Sequence, residues 1–101
     1  MNKLQNANPE ATVKLSGVSL SQNVPNPLRG SSTRINYNIP AGITTAELVF
    51  SNAAGQKIKQ IQLDNSGLVD IDTSSLSAGT YFYTLYINGK SYDTKKMVIN
   101  R

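Results

Sequence analysis

The chain contains neither histidine nor cysteine, so the commonest general base, the commonest metal ligand and the most reactive nucleophile are all missing. Hydrolytic triads are excluded. Carboxylates remain. Asp70 and Asp72 stand two apart, which on a strand puts both on one face about 7 Å from each other. That spacing falls inside the range an inverting glycosidase uses for its acid and base. Such a pair also needs one raised pKa inside a cleft, and a narrow strand offers an open face, so two solvated acids are expected instead. Asp64, Asn65, Asp70 and Asp72 suggest calcium, but Gly67 comes at the fourth position of that run, where an EF-hand loop needs its glycine at the sixth. An Asx-type turn accounts for Asp64 and Asn65 without a metal. No catalytic, cofactor-binding or metal-ligating residue is assigned, and no enzymatic activity or cofactor is expected.

Ten basic against six acidic residues give a net charge of +4, a balance that favours acidic partners. The bases are scattered as Lys3, Lys14, Arg29, Arg34, Lys57, Lys59 and Lys90, grouping only as Lys95, Lys96 and Arg101. No basic stripe carries interleaved exposed aromatics, so no nucleic-acid partner is expected. A length of 101 residues fits one small domain, which buries roughly 60–65% of the surface of its unfolded chain. No disulfide can staple it, so apolar packing must offset an ordering cost of about 1–2 kcal/mol per residue. No window approaches the roughly 20 apolar residues that span a bilayer, and Met1 to Asn6 lack the apolar core of a secretory signal. The chain is expected not to span a membrane, and its export to depend on a signal upstream.

The elements that must carry these residues are strands. Residues 1–16 are polar and follow neither structural period, reading as a linker or the end of an upstream region; Lys3-Leu4-Gln5 is at most the frayed end of a helix. From Gly17 to Arg101, short strands alternate with turn residues at roughly ten-residue spacing, the signature of an all-β sandwich or barrel. The first covers about Val18 to Gln22 and ends at Val24-Pro25-Asn26-Pro27, where two prolines lack the N–H that a ladder needs and hold Val24 and Asn26 extended. Ser32 to Ile39 alternates cleanly, with Thr33, Ile35, Tyr37 and Ile39 on one side. Thr45 to Ser51 places Ala46, Leu48 and Phe50 together, and Asn52-Ala53-Ala54-Gly55 forms a hairpin loop leading into a bulge. In the fourth strand, Gln56 to Leu63, Ile58 is out of phase with Ile61 and Leu63; either a bulge intervenes or Ile58 packs elsewhere. Val69 and Ile71 share the inner face of the fifth. Thr80 to Ile87 carries Tyr81, Tyr83, Leu85 and Ile87 on one face and Phe82, Thr84 and Tyr86 on the other, so it is expected to be central, burying Phe82 and Tyr86 as well. Asn88-Gly89 is the strongest hairpin signal in the chain, because a type I′ turn needs positive φ at both positions, and Lys90 to Asn100 then returns antiparallel.

Two clusters carry a family resemblance. One is Leu20-Ser21-Gln22-Asn23-Val24-Pro25-Asn26-Pro27-Leu28 followed by Thr33-Arg34-Ile35-Asn36-Tyr37. The other is Leu76-Ser77-Ala78-Gly79-Thr80-Tyr81-Phe82-Tyr83, then Asn88-Gly89, then Lys95-Lys96-Met97-Val98-Ile99 and Arg101, with Gly55-Gln56-Lys57-Ile58 between the two. In this order, over about Val18 to Arg101, they resemble the type A C-terminal sorting domains of the type IX secretion system of Bacteroidota. Leu76, Gly79 and Tyr81 also match the corner of immunoglobulin-type sandwiches, where Leu plugs the core, Gly permits the turn and the Tyr hydroxyl bonds back to the chain. With Asn88 and Gly89 they form the expected fold motif of an immunoglobulin-like antiparallel β-sandwich of about seven strands.

The resemblance implies a secretion and sorting signal that carries an upstream passenger through the outer membrane. Its partners would be the outer-membrane translocon and a surface sortase that cuts before Gly17 and anchors the passenger. The route would pass through the periplasm to the cell surface or beyond, with the domain monomeric in isolation. The residues expected to meet the translocon are Pro25, Asn26, Pro27, Lys95, Lys96, Met97, Val98, Ile99 and Arg101. Against this stand two plainer uses: the prolines as a rigid crossover, and Lys95 and Lys96 as edge-strand guards. An adhesin or carbohydrate-binding sandwich is the alternative function and would need an aromatic platform from Phe82, Tyr86 and Tyr92. A structural spacer is the third.

Overall fold

Alternation of apolar and polar residues means that a strand can bury only one face, and two such sheets must close on each other. The computed structural model describes residues 17–101, and in them the alternating segments form seven strands: β1 (Ser19–Leu20), β2 (Ser32–Asn38), β3 (Ala46–Asn52), β4 (Lys57–Gln62), β5 (Leu68–Asp72), β6 (Gly79–Ile87) and β7 (Lys90–Ile99). The reading of residues 1–16 as a linker lies outside the described residues. A three-stranded sheet has the order β1-β2-β5 and a four-stranded sheet the order β4-β3-β6-β7. Every ladder is antiparallel. This is an immunoglobulin-like sandwich in which β4 has joined the sheet of β3, β6 and β7.

The inward residues are those of the sequence pattern. Thr33, Ile35 and Tyr37 of β2, Ala46, Leu48 and Phe50 of β3, and Tyr81, Tyr83, Leu85 and Ile87 of β6 are all buried. The Phe50 and Tyr83 rings lie 5.5 Å apart at the centre. Leu28, to which the sequence pattern gave no strand, is also fully buried.

Three details differ from expectation, and a fourth decides between two open alternatives. β1 is shorter, because after Leu20 the chain leaves the ladder and is held by separate contacts: Ser21 N–H donates to Asn36 O, and Val24 and Arg34 exchange backbone bonds of 2.8 and 2.9 Å. A bulge opposite Phe50 and Ser51 settles the phase of β4, since Phe50 pairs with Lys59 and Ser51 with Lys57, which leaves Ile58 as the extra residue. A second bulge in β7 lies between the pairs Leu85/Asp93 and Tyr86/Ser91 and turns Tyr92 out of register. Tyr92 therefore packs against the core, its hydroxyl donating to Val18 O. Phe82 and Tyr86 are half-buried on the outer face rather than buried. The aromatic platform of an adhesin is thus not assembled, because Tyr92 belongs to the inner side of the sheet on which Phe82 and Tyr86 face out.

Candidate functional site

The Pro25-Asn26-Pro27 corner is built by polar contacts with the core. Tyr83, buried in the sandwich, donates its hydroxyl to Ser21 O at 2.8 Å. Asn23 is buried and donates to Pro25 O at 2.9 Å and to Thr33 Oγ1 at 3.0 Å. These bonds satisfy groups that would be costly to leave unpaired away from water. The corner's three residues are exposed, and both X-Pro bonds, Val24-Pro25 and Asn26-Pro27, are cis. Val24 beside them is 62% exposed although its backbone is fixed to Arg34.

From there the chain runs onto the outer edge of β7. The Val98 N–H donates to Asn26 Oδ1 at 2.9 Å, joining residues 72 positions apart. Leu28 N–H donates to Val98 O at 2.9 Å and Asn100 N–H to Leu28 O at 2.8 Å, a parallel bridge between Leu28 and Ile99. Gln22 Nε2 donates to Lys96 O at 2.6 Å. The fold therefore brings the two sequence clusters together in one surface, with Pro25, Asn26, Pro27 and Lys96 exposed along it.

It also sorts the residues expected to meet the translocon. Met97 and Ile99 are 0% and 2% exposed and fill the core, so their side chains cannot touch a partner while the domain is folded. Val98 is half-buried on the outer face and uses its backbone in the stitch. Lys95 turns to the inner side of β7, opposite Tyr83, and pairs with Asp93 at 3.6 Å. Arg101 donates from Nη2 to Thr73 O at 2.7 Å and to Gly30 O at 3.2 Å, and from Nη1 to Leu76 O. Pattern reasoning gave no role to Gln22, Asn23, Leu28 or Thr73, because each works through a contact distant in sequence.

At the opposite turn, Asn88 and Gly89 have φ of +51° and +84°, the two positive values of a type I′ hairpin. Asn88 Oδ1 accepts from Thr44 N and Thr45 N at 3.1 and 3.0 Å. At the corner before β6, Gly79 has φ +152°, Leu76 packs on the core and the Tyr81 hydroxyl donates to Ser77 O at 2.7 Å.

The acids are each tied to a different partner. The Arg34 guanidinium, 2.8 Å away, holds Asp70 below the usual carboxylate range. Hydrogen bonds from Ser74 lower Asp72, and those from Ser66 and then Tyr37 lower Asp64. A glycosidase acid needs the opposite shift. No helix among the described residues is long and apolar enough to cross a membrane.

The molecule is therefore a small immunoglobulin-like sandwich with a stitched, exposed corner, in which Asp64, Asp70 and Asp72 are all shifted away from the acid's role. Its residues 24–100 match the secretion system C-terminal sorting domain, and the chain belongs to that family. The match runs from the corner through β7, so both halves of the stitched surface lie within it. No curated protein matches the chain. This is a sorting signal for type IX secretion, and the family it belongs to is not an enzyme family; it engages the secretion machinery and directs its passenger to the cell surface or out of the cell.

Proposed function

We propose that residues 17–101 act as a folded handle read by the outer-membrane translocon at the surface formed by Pro25, Asn26, Pro27, Lys96 and the outward side of Val98. The handle folds in the periplasm, the translocon engages it, and the passenger preceding residues 1–16 is carried across. A surface sortase then cuts in residues 1–16 and transfers the passenger to lipopolysaccharide. The domain itself contributes no catalysis and works as a monomer.

The observation that supports this reading is the meeting of the corner with the end of β7, which makes one rigid exposed patch from two distant segments. A preformed patch avoids the entropy of ordering on binding. Lys95, with its charge matched by Asp93, is a supporting residue, and Met97 and Ile99 act through the core.

The test is a periplasm-directed fluorescent protein fused ahead of the chain in a bacterium with a type IX system. Lys96→Glu and a Pro25→Ala/Pro27→Ala double variant are compared with the parent, with the melting temperature of each isolated domain as the control for folding. Lys96→Glu should fold as the parent does and leave the fluorescence in the periplasm. If Lys96→Glu and the proline variant both reach the outside at the parental level, the surface is wrongly placed.

A further inference from the structure

Arg101 sits where the stitched segment ends. Residues 26–30 run beside 98–101: Asn26 takes the Val98 N–H, Leu28 bonds to Val98 and Asn100, and Gly30 O takes the Arg101 Nε and Nη2 at 3.3 and 3.2 Å. The same guanidinium reaches Thr73 O at 2.7 Å, Thr73 Oγ1 at 3.3 Å and Leu76 O. Thr73 follows the end of β5 in the three-stranded sheet and is itself buried, and its N–H donates to Ser31 O at 2.8 Å. One side chain just beyond the end of β7 thus ties the loop after Leu28 to the turn after β5. A planar fork of N–H donors can serve carbonyls on both loops at once, which a single ammonium on a flexible stem cannot do with the same geometry.

We infer that Arg101 is a positioning residue: it clasps the corner against β7 and is not itself read by the machinery. The inference rests on the surface proposed above. Its Nε and both Nη atoms are spent on backbone carbonyls of this domain, while Lys96 stands outward beside the corner. Loss of Arg101 then harms export by loosening residues 26–30.

The experiment compares Arg101→Lys and Arg101→Ala, as isolated chains and behind the fluorescent passenger. Both should melt about 4–8 °C lower than the parent. Amide exchange should quicken at Leu28 and Asn100 and stay parental at the Asn88 hairpin. Export should fall in both and recover in both at a growth temperature well below the new melting point. The lysine variant decides between clasp and ligand, because it keeps the charge and loses the fork. If Lys exports like the parent while Ala does not, and the melting of both is unchanged, the machinery reads the cation and the clasp is refuted. Parental exchange at Leu28 and Asn100 in the alanine variant refutes it too. Exchange that rises everywhere, the hairpin included, does the same, since Arg101 would then hold the whole fold and not the corner. Failure of Lys96→Glu to affect export would remove the proposed surface yet leave these exchange results standing.

Discussion

Tyr81 and Tyr83 point the same way from β6 and use their hydroxyls differently. Tyr81 closes a local turn on Ser77 O, and Tyr81→Phe should lower the unfolding free energy by about 1 kcal/mol, measured by urea denaturation. Tyr83 reaches across the sandwich to Ser21 O, and burial pushes its pKa up to about 12. Its neutral form therefore favours the folded state fully below the unfolded value near 10, and that contribution is lost as pH rises from about 10 towards 12. Alkaline unfolding should set in over that window and be blunted in Tyr83→Phe, followed by circular dichroism. On the acid side Asp64, Asp70 and Asp72 all have lowered pKa values, so what they contribute holds above the usual carboxylate range and is lost as pH falls through their folded values. The Tyr81 corner was legible in the sequence because Leu76, Gly79 and Tyr81 lie within one turn. The Arg101 clasp was not, since nothing near Arg101 in the chain names Gly30 or Thr73.

The β6–β7 hairpin shows what a strand pattern reveals and where it stops. Asn88-Gly89 announced the turn, and both residues adopt the positive φ it needs. Asn88→Ala should cost about 2 kcal/mol by thermal melting, because alanine lacks the polar side chain that lets asparagine adopt the left-handed backbone and loses the acceptor for Thr44 and Thr45. Alternation gave the facing of β2, β3 and β6 correctly because each has a single buried face. The expectation of Tyr92 on an aromatic platform is not met, because one inserted residue reverses every facing beyond it and leaves no mark in composition. Ile58 did leave a mark, an apolar residue out of phase, and a bulge is its cause. β7 also mixes two kinds of residue that sequence reasoning had grouped: Lys96 stands outward and exposed, while Met97 fills the core.

At the scale of the molecule, the sandwich has no disulfide to fall back on and depends on both sheets closing. Removing residues 95–101 would take Met97 and Ile99 out of the core. Large buried aliphatic side chains cost about 2–5 kcal/mol each when truncated, against a total stability of about 5–15 kcal/mol for an ordinary domain. A chain ending at Thr94 should therefore show no cooperative melt by circular dichroism. Export lost on such a deletion would report unfolding, and only single outward substitutions such as Lys96→Glu isolate recognition.

The stitch between Asn26 and Val98 has a consequence in time. The ribosome makes the corner before β7, and residues 26–28 cannot take their final place until residues 98–100 exist. Should a nascent product stall or be clipped ahead of Lys96, it would leave the two pieces unjoined, so a cell using this address label would dispatch finished cargo and retain fragments.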